Sequence, residues 1–277
     1  MTGTGLRVLT CAVVVTALIV AVDAPPETGL DTVVSDFTAG LSPRQVYHRP
    51  QPGDLTAAAT GFAATLDRRR TTDFTKLGFS VRDGTDPATG RPYTIAVNER
   101  AWGMYVIDRS APPSVAVEVP HPASDLRTEL IGVDLFRREP GAVLLVAGTH
   151  RKAADVAHEP ESVFHTVATV LARRGLAQVQ LHGFDDQNLP ATDIVLSSGI
   201  GVAGETAWKT ANRLAAGGFA VCRAWREGCD GLEGMTNMQG EMAAAAGTVF
   251  LHVEMSRTVR ESPARRADAV RALSEAE

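Results

Sequence analysis

The sequence is poor in aromatic residues and carries no excess of positive charge. Phe, Trp and Tyr make up 5% of the 277 residues, and 32 acidic residues outnumber 27 basic ones, for a net charge of -5. Nucleic-acid-binding proteins generally present a basic surface, often with aromatic side chains among the cations. We therefore expect no nucleic-acid partner. A hydrophobic content of 44% with 21% charged residues is typical of a folded globular protein.

The N-terminal apolar stretch is short for a transmembrane helix. Residues 8–22 are mostly apolar and follow Arg7, but they provide about 15 positions where a spanning helix needs about 20. The stretch ends at Val22-Asp23-Ala24, a pattern typical of an export signal. Because Pro25 would hinder cleavage, residues 1–24 are predicted to be either a removed signal peptide or a retained membrane anchor. In both cases the protein is expected to be extracellular or associated with the cell envelope.

Cysteine is scarce, and its spacing argues against a cysteine metal site. Of the three cysteines, Cys11 lies in the N-terminal apolar stretch, which leaves Cys222 and Cys229. A Cys-x-x-Cys pair would indicate a metal, whereas two cysteines that close a short loop in an exported protein more often form a disulfide. We predict a disulfide between Cys222 and Cys229.

The composition changes along the chain and indicates one α/β domain. Residues 25–54 are rich in Pro, Gly, Asp and Thr and are predicted to be a linker. A helix is expected at 55–70 and a turn-rich loop at 83–90. The domain is expected to span 55–277, with its core at 113–260, where apolar β-branched runs alternate with helical patterns.

The apolar runs predict strands at 93–97, 103–107, 115–119, 142–146, 177–181, 194–196, 219–222 and 249–253. Helical patterns occupy 126–138, 162–174, 204–216, 239–246 and 263–276. Strands that are apolar on both faces are typical of a sheet covered on both sides. We therefore expect a mostly parallel or mixed central sheet flanked by helices.

Polar residues follow several of these strands at the same end. His121 follows the strand at 115–119, His150 and Arg151 follow the next strand, His182 follows 177–181, and Glu254 follows 249–253. In open α/β sheets the ligand site lies beyond the carboxyl ends of the strands. A lone histidine is more often a hydrogen-bonded core residue than a ligand, but this shared edge favours a common site.

Three of these residues could hold a catalytic metal. A hydrolytic zinc needs about three protein ligands and an open position for water, and His121, Asp125 and His182 supply such a set. Asp125 could equally be the cap of the following helix, and His150 is the alternative third ligand. Glu254 is the predicted general base, and its alternative role is a salt bridge to an arginine of the following segment.

An amide substrate that ends in a carboxylate also needs a cationic partner, and arginine can bind carboxylates with two hydrogen bonds. Arg151 is the first candidate, with Arg226 and Arg257 as others, and each could equally be a surface or structural arginine. His150 would lie beside Arg151. The glycine-rich loop at 231–240 contains Asn237 and is expected to line the pocket.

The segments His121-Pro-Ala-Ser-Asp125, Gln180-Leu-His182-Gly-Phe, and Glu254-Met-Ser-Arg257-Thr-Val-Arg resemble the poly-γ-glutamate hydrolase family of phages and bacteria. The resemblance covers about residues 115–260, and N-formylglutamate amidohydrolases offer a second comparison. It implies a zinc amidohydrolase with a phosphorylase/hydrolase-like, zinc-carboxypeptidase-like fold. It also implies that His121, Asp125 and His182 bind zinc and that Glu254 is the base. The family has a glutamate where Asp125 stands.

Together these observations predict a zinc-dependent hydrolase of an amide bond in a peptide, a γ-glutamyl compound or an N-acyl amino acid. A non-catalytic exported binding protein with the same cleft is one alternative, and it would need no base at Glu254. A two-metal phosphoesterase is another, and it would recruit His150, Asp155 and His158.

Overall fold

The structure is a computed structural model that describes residues 1–2 and 28–274. The predicted signal peptide or anchor therefore lies, apart from its first two residues, outside the described part of the chain. Among the residues that are described, no helix is long and apolar enough to span a bilayer.

Nine strands and nine helices form within the described residues. The strands are β1 (Phe79–Thr85), β2 (Pro92–Asn98), β3 (Met104–Asp108), β4 (Val115–Val119), β5 (Val143–Val146), β6 (Ala177–Phe184), β7 (Ile194–Ser197), β8 (Val221–Arg223) and β9 (Phe250–Ser256). The helices are α1 (Leu30–Ala39), α2 (Pro52–Leu66), α3 (Asp73–Lys76), α4 (Thr128–Arg138), α5 (Val163–Ala172), α6 (Glu205–Ala216), α7 (Met238–Ala246), α8 (Arg257–Glu261) and α9 (Pro263–Leu273).

All nine strands belong to one mixed sheet, in the order β1-β2-β3-β5-β4-β6-β9-β7-β8. The four central strands β5, β4, β6 and β9 are parallel to one another, while β3 and β7 pair with them in the antiparallel direction. The carboxyl ends of β4, β5, β6 and β9 therefore meet at one edge. The prediction of a mixed α/β sheet flanked by helices is confirmed.

Two helical layers cover the sheet. One contains α1, α4, α6 and α9, and the other contains α2, α3, α5 and α7. Strand residues such as Val117, Val179 and Leu251 pack against the first layer, so the residues that alternate with them face the second. On β6 and β9 these include Gln180 and His252, and the second face thus carries buried polar groups.

The segment 25–54, expected to be a linker, contains helix α1, which packs against α4. Leu30 and Val34 are fully buried and Thr38 is nearly so, because their spacing of four residues places them on one face of the helix. Arg137 on α4 also pairs with Asp31 at 2.8 Å. This part of the chain is therefore integrated in the fold, and the linker prediction is corrected for residues 30–39.

Two further boundaries differ from the sequence prediction. Strand β1 runs to Thr85, into the loop expected at 83–90. The apolar pattern does not predict this strand, because an edge strand that is largely exposed shows little apolar alternation. Strands β6 and β9 continue to Phe184 and Ser256. His182 and Glu254 thus lie within paired strands rather than after them.

The predicted disulfide is present. Cys222 on β8 is bonded to Cys229, and their Cα atoms are 6.1 Å apart. The bridge packs with Phe184 and Leu232 in a small apolar cluster. It therefore anchors the start of the glycine-rich loop that continues to Asn237.

The burial of α1 can be tested by the substitution Leu30→Ala. Because the Leu30 side chain is fully buried, its loss should lower the free energy of unfolding by about 2–5 kcal/mol. Thr32→Ala on the exposed face of the same helix is the control and should change stability by less than about 0.5 kcal/mol. Urea unfolding of the two variants provides the comparison, and equal stabilities would mean that α1 does not pack as described.

Candidate metal centre

Two histidine rings meet at one carboxylate oxygen. His121 lies in the turn after β4, and Asp125 follows one turn later, with its backbone N–H donating to the carbonyl of His121 at 2.9 Å. Nδ1 of His121 is 3.2 Å from Oδ2 of Asp125, and Nδ1 of His182 is 3.3 Å from the same oxygen. All three residues are at most 4% exposed.

These separations match the spacing of ligands around zinc. Four ligands placed tetrahedrally at about 2.0–2.1 Å from a zinc ion are about 3.3–3.4 Å apart. The two Nδ1–Oδ2 distances of 3.2 and 3.3 Å are close to that edge length. One potential ligand atom from each of His121, Asp125 and His182 lies within 4.8 Å of the other two. The predicted ligand set is therefore brought together in the described structure.

The other ring nitrogens are held by acceptors. Nε2 of His121 is 2.7 Å from Oδ1 of Asp155, and Nε2 of His182 is 2.7 Å from Oε1 of Gln180. Metal-binding histidines commonly donate their second N–H to such a partner, which orients the ring. With the protons on Nε2, both Nδ1 atoms present lone pairs to the Asp125 carboxylate. Three converging electron pairs fit a cation, which supports a metal at this position.

The electrostatics of the three residues depend on burial and on one another. Burial lowers the pKa of His182 to about 4, although the neighbouring carboxylate of Asp125 favours the protonated ring. Burial opposes ionisation of Asp125, yet its contacts with His121 and His182 hold its pKa well below the usual range. Neutral His182 and ionised Asp125 are the forms that bind metal ions.

Glu254 lies beside this set on the neighbouring strand. It is directly opposite His182 in the register of β9 against β6. Its Oε2 atom is buried and has no hydrogen-bond partner among the described residues. Burial, followed by the nearby charge of Asp125, raises the pKa of Glu254 to about 8. A bound cation would oppose this rise.

The alternative role of Glu254, a salt bridge to a nearby arginine, is not what the structure shows. Arg257 pairs with Glu261 at 2.8 Å. The guanidinium of Arg260 instead donates to the backbone carbonyls of Met255, Leu126 and Phe184. These bonds tie α8 to the sheet and leave Glu254 free to face the cleft.

The open cleft at this edge is lined by His121, Arg151, His158, His182, Gly183, Phe184, Asp185, Asn188, residues 231–237, His252 and Glu254. The glycine-rich loop at 231–237 is thus one wall, as the sequence predicts. Arg151 reaches over the metal-site residues and lies 3.4 Å from Asp155 and 3.8 Å from Asp125. Its side chain is 43% exposed, so its guanidinium is open to the cleft.

The other predicted substrate-binding residues are placed differently. His150 does not line the cleft, because its ring packs against Ser124 and its Nδ1 accepts from the backbone of Lys152. It does not belong to the group that His121, Asp125 and His182 form. Arg257 is exposed on α8 and is occupied by Glu261, so its assignment to the cleft is corrected. Asn237 does reach the cleft wall, but it is buried, and its side chain caps the start of helix α7.

Sequence reasoning missed His252 and the role of Gln180. The ring of His252 lies 4.5 Å from that of His182, and its buried Nδ1 has no partner among the described residues. Both residues could have been found from strand periodicity, because His252 precedes Glu254 by two positions and Gln180 precedes His182 by two. Asp155 entered only as a ligand of a second metal, whereas it contacts His121.

Comparisons with known proteins found similarity to solved structures alone. No protein-family model matches the chain, and no curated protein matches it either. A bacteriophage poly-gamma-glutamate hydrolase is 18% identical over 62% of this chain and 86% of that chain, with a TM-score of 0.45. An aspartoacylase family protein from Mesorhizobium loti is 15% identical over 70% of each chain, with a TM-score of 0.39.

A buried acid lies beneath the site. Glu118 on β4 is fully buried, and its Oε2 accepts a hydrogen bond from Gln180 at 2.8 Å. Its Oε1 has no partner among the described residues. Burial raises the pKa of Glu118 to about 8, so the folded protein keeps this carboxyl protonated near neutral pH.

This burial predicts a specific dependence of stability on pH. The carboxyl titrates near 4.5 when exposed and at about 8 when folded. Between these values the folded protein holds a proton that the unfolded chain has released, so the free energy of unfolding falls as the pH rises. Glu118→Gln is neutral throughout and should lack this part of the decline, which amounts to a few kcal/mol.

Urea unfolding of the metal-free protein at several pH values between about 5 and about 8 provides the measurement. The stability of Glu118→Gln relative to the parent should increase steadily across this range. A constant difference between the two proteins would show that Glu118 is already ionised in the fold.

Proposed function

We propose that the protein is a zinc-dependent hydrolase of an amide bond. The observation that carries the proposal is the convergence of two histidine Nδ1 atoms on one oxygen of Asp125, with Glu254 on the adjacent strand. A structural zinc site is usually closed by four protein ligands, whereas three ligands at an open cleft are typical of a catalytic site.

His121, Asp125 and His182 would hold the zinc ion. When bound, zinc would act as a Lewis acid that polarises the substrate carbonyl and lowers the pKa of water toward neutral. Glu254 takes the proton from the attacking water and returns it to the leaving amine. Arg151 is placed to interact with the carbonyl oxygen or with a substrate carboxylate.

The substrate proposed is a peptide, a γ-glutamyl compound or an N-acyl amino acid. The open cleft suits an extended molecule, and Arg151 offers a partner for a carboxylate near the scissile bond. We also propose that the protein acts outside the cytoplasm, which the disulfide between Cys222 and Cys229 supports.

The position of Glu254 favours an enzyme over a binding protein, because a binder gains nothing from a buried carboxyl without a partner beside the metal ligands. The two-metal phosphoesterase is not favoured. Asp155 contacts His158 and His121, but the ring of His150 lies at Ser124 and does not join them.

The substitution His182→Ala should abolish stoichiometric zinc binding. The parent is expected to hold about one zinc per chain, and the variant should hold far less because one of three ligands is lost. Elemental analysis after dialysis provides the measurement. His48→Ala, at an exposed histidine, is the control and should keep full metal content. Full zinc in His182→Ala would contradict the ligand assignment.

The substitution Glu254→Gln should separate metal binding from catalysis. Zinc content should be unchanged, while kcat for amide hydrolysis falls by about 10²–10⁴-fold because the proton acceptor is lost. The exposed Glu261→Gln is the matched control and should retain activity. Dipeptides, N-acyl amino acids and γ-linked glutamyl peptides form the substrate panel, and unchanged activity in Glu254→Gln would refute its role as the base.

A further inference from the structure

We propose that Gln180 fixes the proton of His182 on Nε2 and so keeps Nδ1 free for the metal. Gln180 acts in a chain of buried amides that also contains Asn237 and Gln239, which we call the amide relay. Gln180 is a positioning residue, because it would touch neither metal nor substrate. The link to zinc rests on the proposed function, whereas the placement of the proton does not.

The first anchor of the relay is the start of helix α7. Oδ1 of Asn237 accepts from the backbone N–H groups of Gln239 at 3.0 Å and Gly240 at 3.1 Å. Backbone N–H groups can only donate, so this atom must be the amide oxygen. The NH₂ group of Asn237 therefore points the other way and donates to Oε1 of Gln180.

The second anchor is a backbone carbonyl on a different part of the chain. The carbonyl oxygen of Val156 lies 3.2 Å from Nε2 of Gln239. A carbonyl can only accept, so this atom of Gln239 must be its NH₂ group. Oε1 of Gln239 consequently faces Nε2 of Gln180, at 3.1 Å.

Both anchors assign the same orientation to Gln180. Its NH₂ group faces Gln239 and Oε2 of Glu118, and its oxygen faces Asn237 and His182. That oxygen carries no hydrogen, so the 2.7 Å contact with Nε2 of His182 requires the proton to be on the imidazole. His182 is thereby held as the Nε2–H tautomer.

This tautomer is not the one that Asp125 would select alone. Oδ2 of Asp125 is 3.3 Å from Nδ1 of His182 and would accept a hydrogen bond from a proton there. Such a proton would block metal binding at Nδ1. The relay opposes this outcome from the other side of the ring, and loss of such supporting partners typically lowers metal affinity by about 10–100-fold.

The test compares Gln180→Met with Gln178→Met in the full chain. Gln178 lies two residues earlier on β6, is equally buried and faces the same side. Among the described residues its NH₂ group reaches only the carbonyl of Ala168, at 3.5 Å. Both variants thus replace a buried glutamine by methionine on the same strand. Any loss of stability that follows from replacing a buried glutamine on β6 is therefore common to both variants.

The first readout is the tautomer of His182 in the metal-free protein, from ¹⁵N NMR at alkaline pH, with signals assigned by their loss in His182→Ala. The parent and Gln178→Met should show Nε2–H, and Gln180→Met should shift toward Nδ1–H. The second readout is zinc affinity by chelator competition, which should fall about 10–100-fold in Gln180→Met alone.

A second variant covers the case in which Gln180→Met does not fold. Asn237→Asp keeps the oxygen that caps α7 but replaces the NH₂ donor by an oxygen that repels the oxygen of Gln180. Gln239 still favours the original orientation, so His182 should shift only in part toward Nδ1–H. Unchanged tautomer and affinity in the folded variants would overturn the inference, as would Nδ1–H in the parent. A parent with Nε2–H that binds no zinc would refute the proposed function and leave the relay intact.

Discussion

The approach of two imidazole nitrogens to one oxygen of Asp125 is the constraint around which this edge of the sheet is arranged. His121 comes from the turn after β4 and His182 from within β6, so the parallel pairing of these strands determines their separation. If both rings carry their protons on Nε2, three buried groups direct electron pairs at one another, which is unfavourable without a cation. The fold keeps them together because each ring is also held from behind, by Asp155 and by Gln180.

The buried face behind the site is polar where a sheet of this kind is usually apolar. Glu118, Gln180 and Gln239 lie between the central strands and the layer of α5 and α7, and all three are fully buried. Such groups are costly to bury unless their hydrogen bonds are made. The amides of Gln180 and Gln239 are hydrogen-bonded to each other, and Glu118 accepts a hydrogen bond from Gln180. These buried groups define the orientation of His182, a candidate metal ligand. Folds can in this way accept a lower stability where it fixes the geometry of a functional site.

The sequence pattern located eight of the nine described strands, all but β1, and the three converging residues, because apolar runs and the polar residues at their ends are local signals. It could not show that β6 and β9 continue past His182 and Glu254, since polar residues that face a site interrupt the apolar run. Helix α1 was missed because its apolar face is narrow and its composition resembles that of a linker. Asp155 was missed as a partner of His121 because the two residues meet only through the tertiary fold. Gln180 stands two residues before His182 on the same face of β6, so strand periodicity could have revealed it.

The central claim is that His121, Asp125 and His182 form one metal site with Nδ1 of both rings as ligands. A crystal of the protein prepared with zinc, measured at the zinc absorption edge, tests this directly. The account predicts one strong anomalous peak about 2.0–2.1 Å from each of the three ligand atoms, with an open side toward Glu254. A peak bound by His150 or by Nε2 of His121 or His182, or no peak in this cleft, would contradict it.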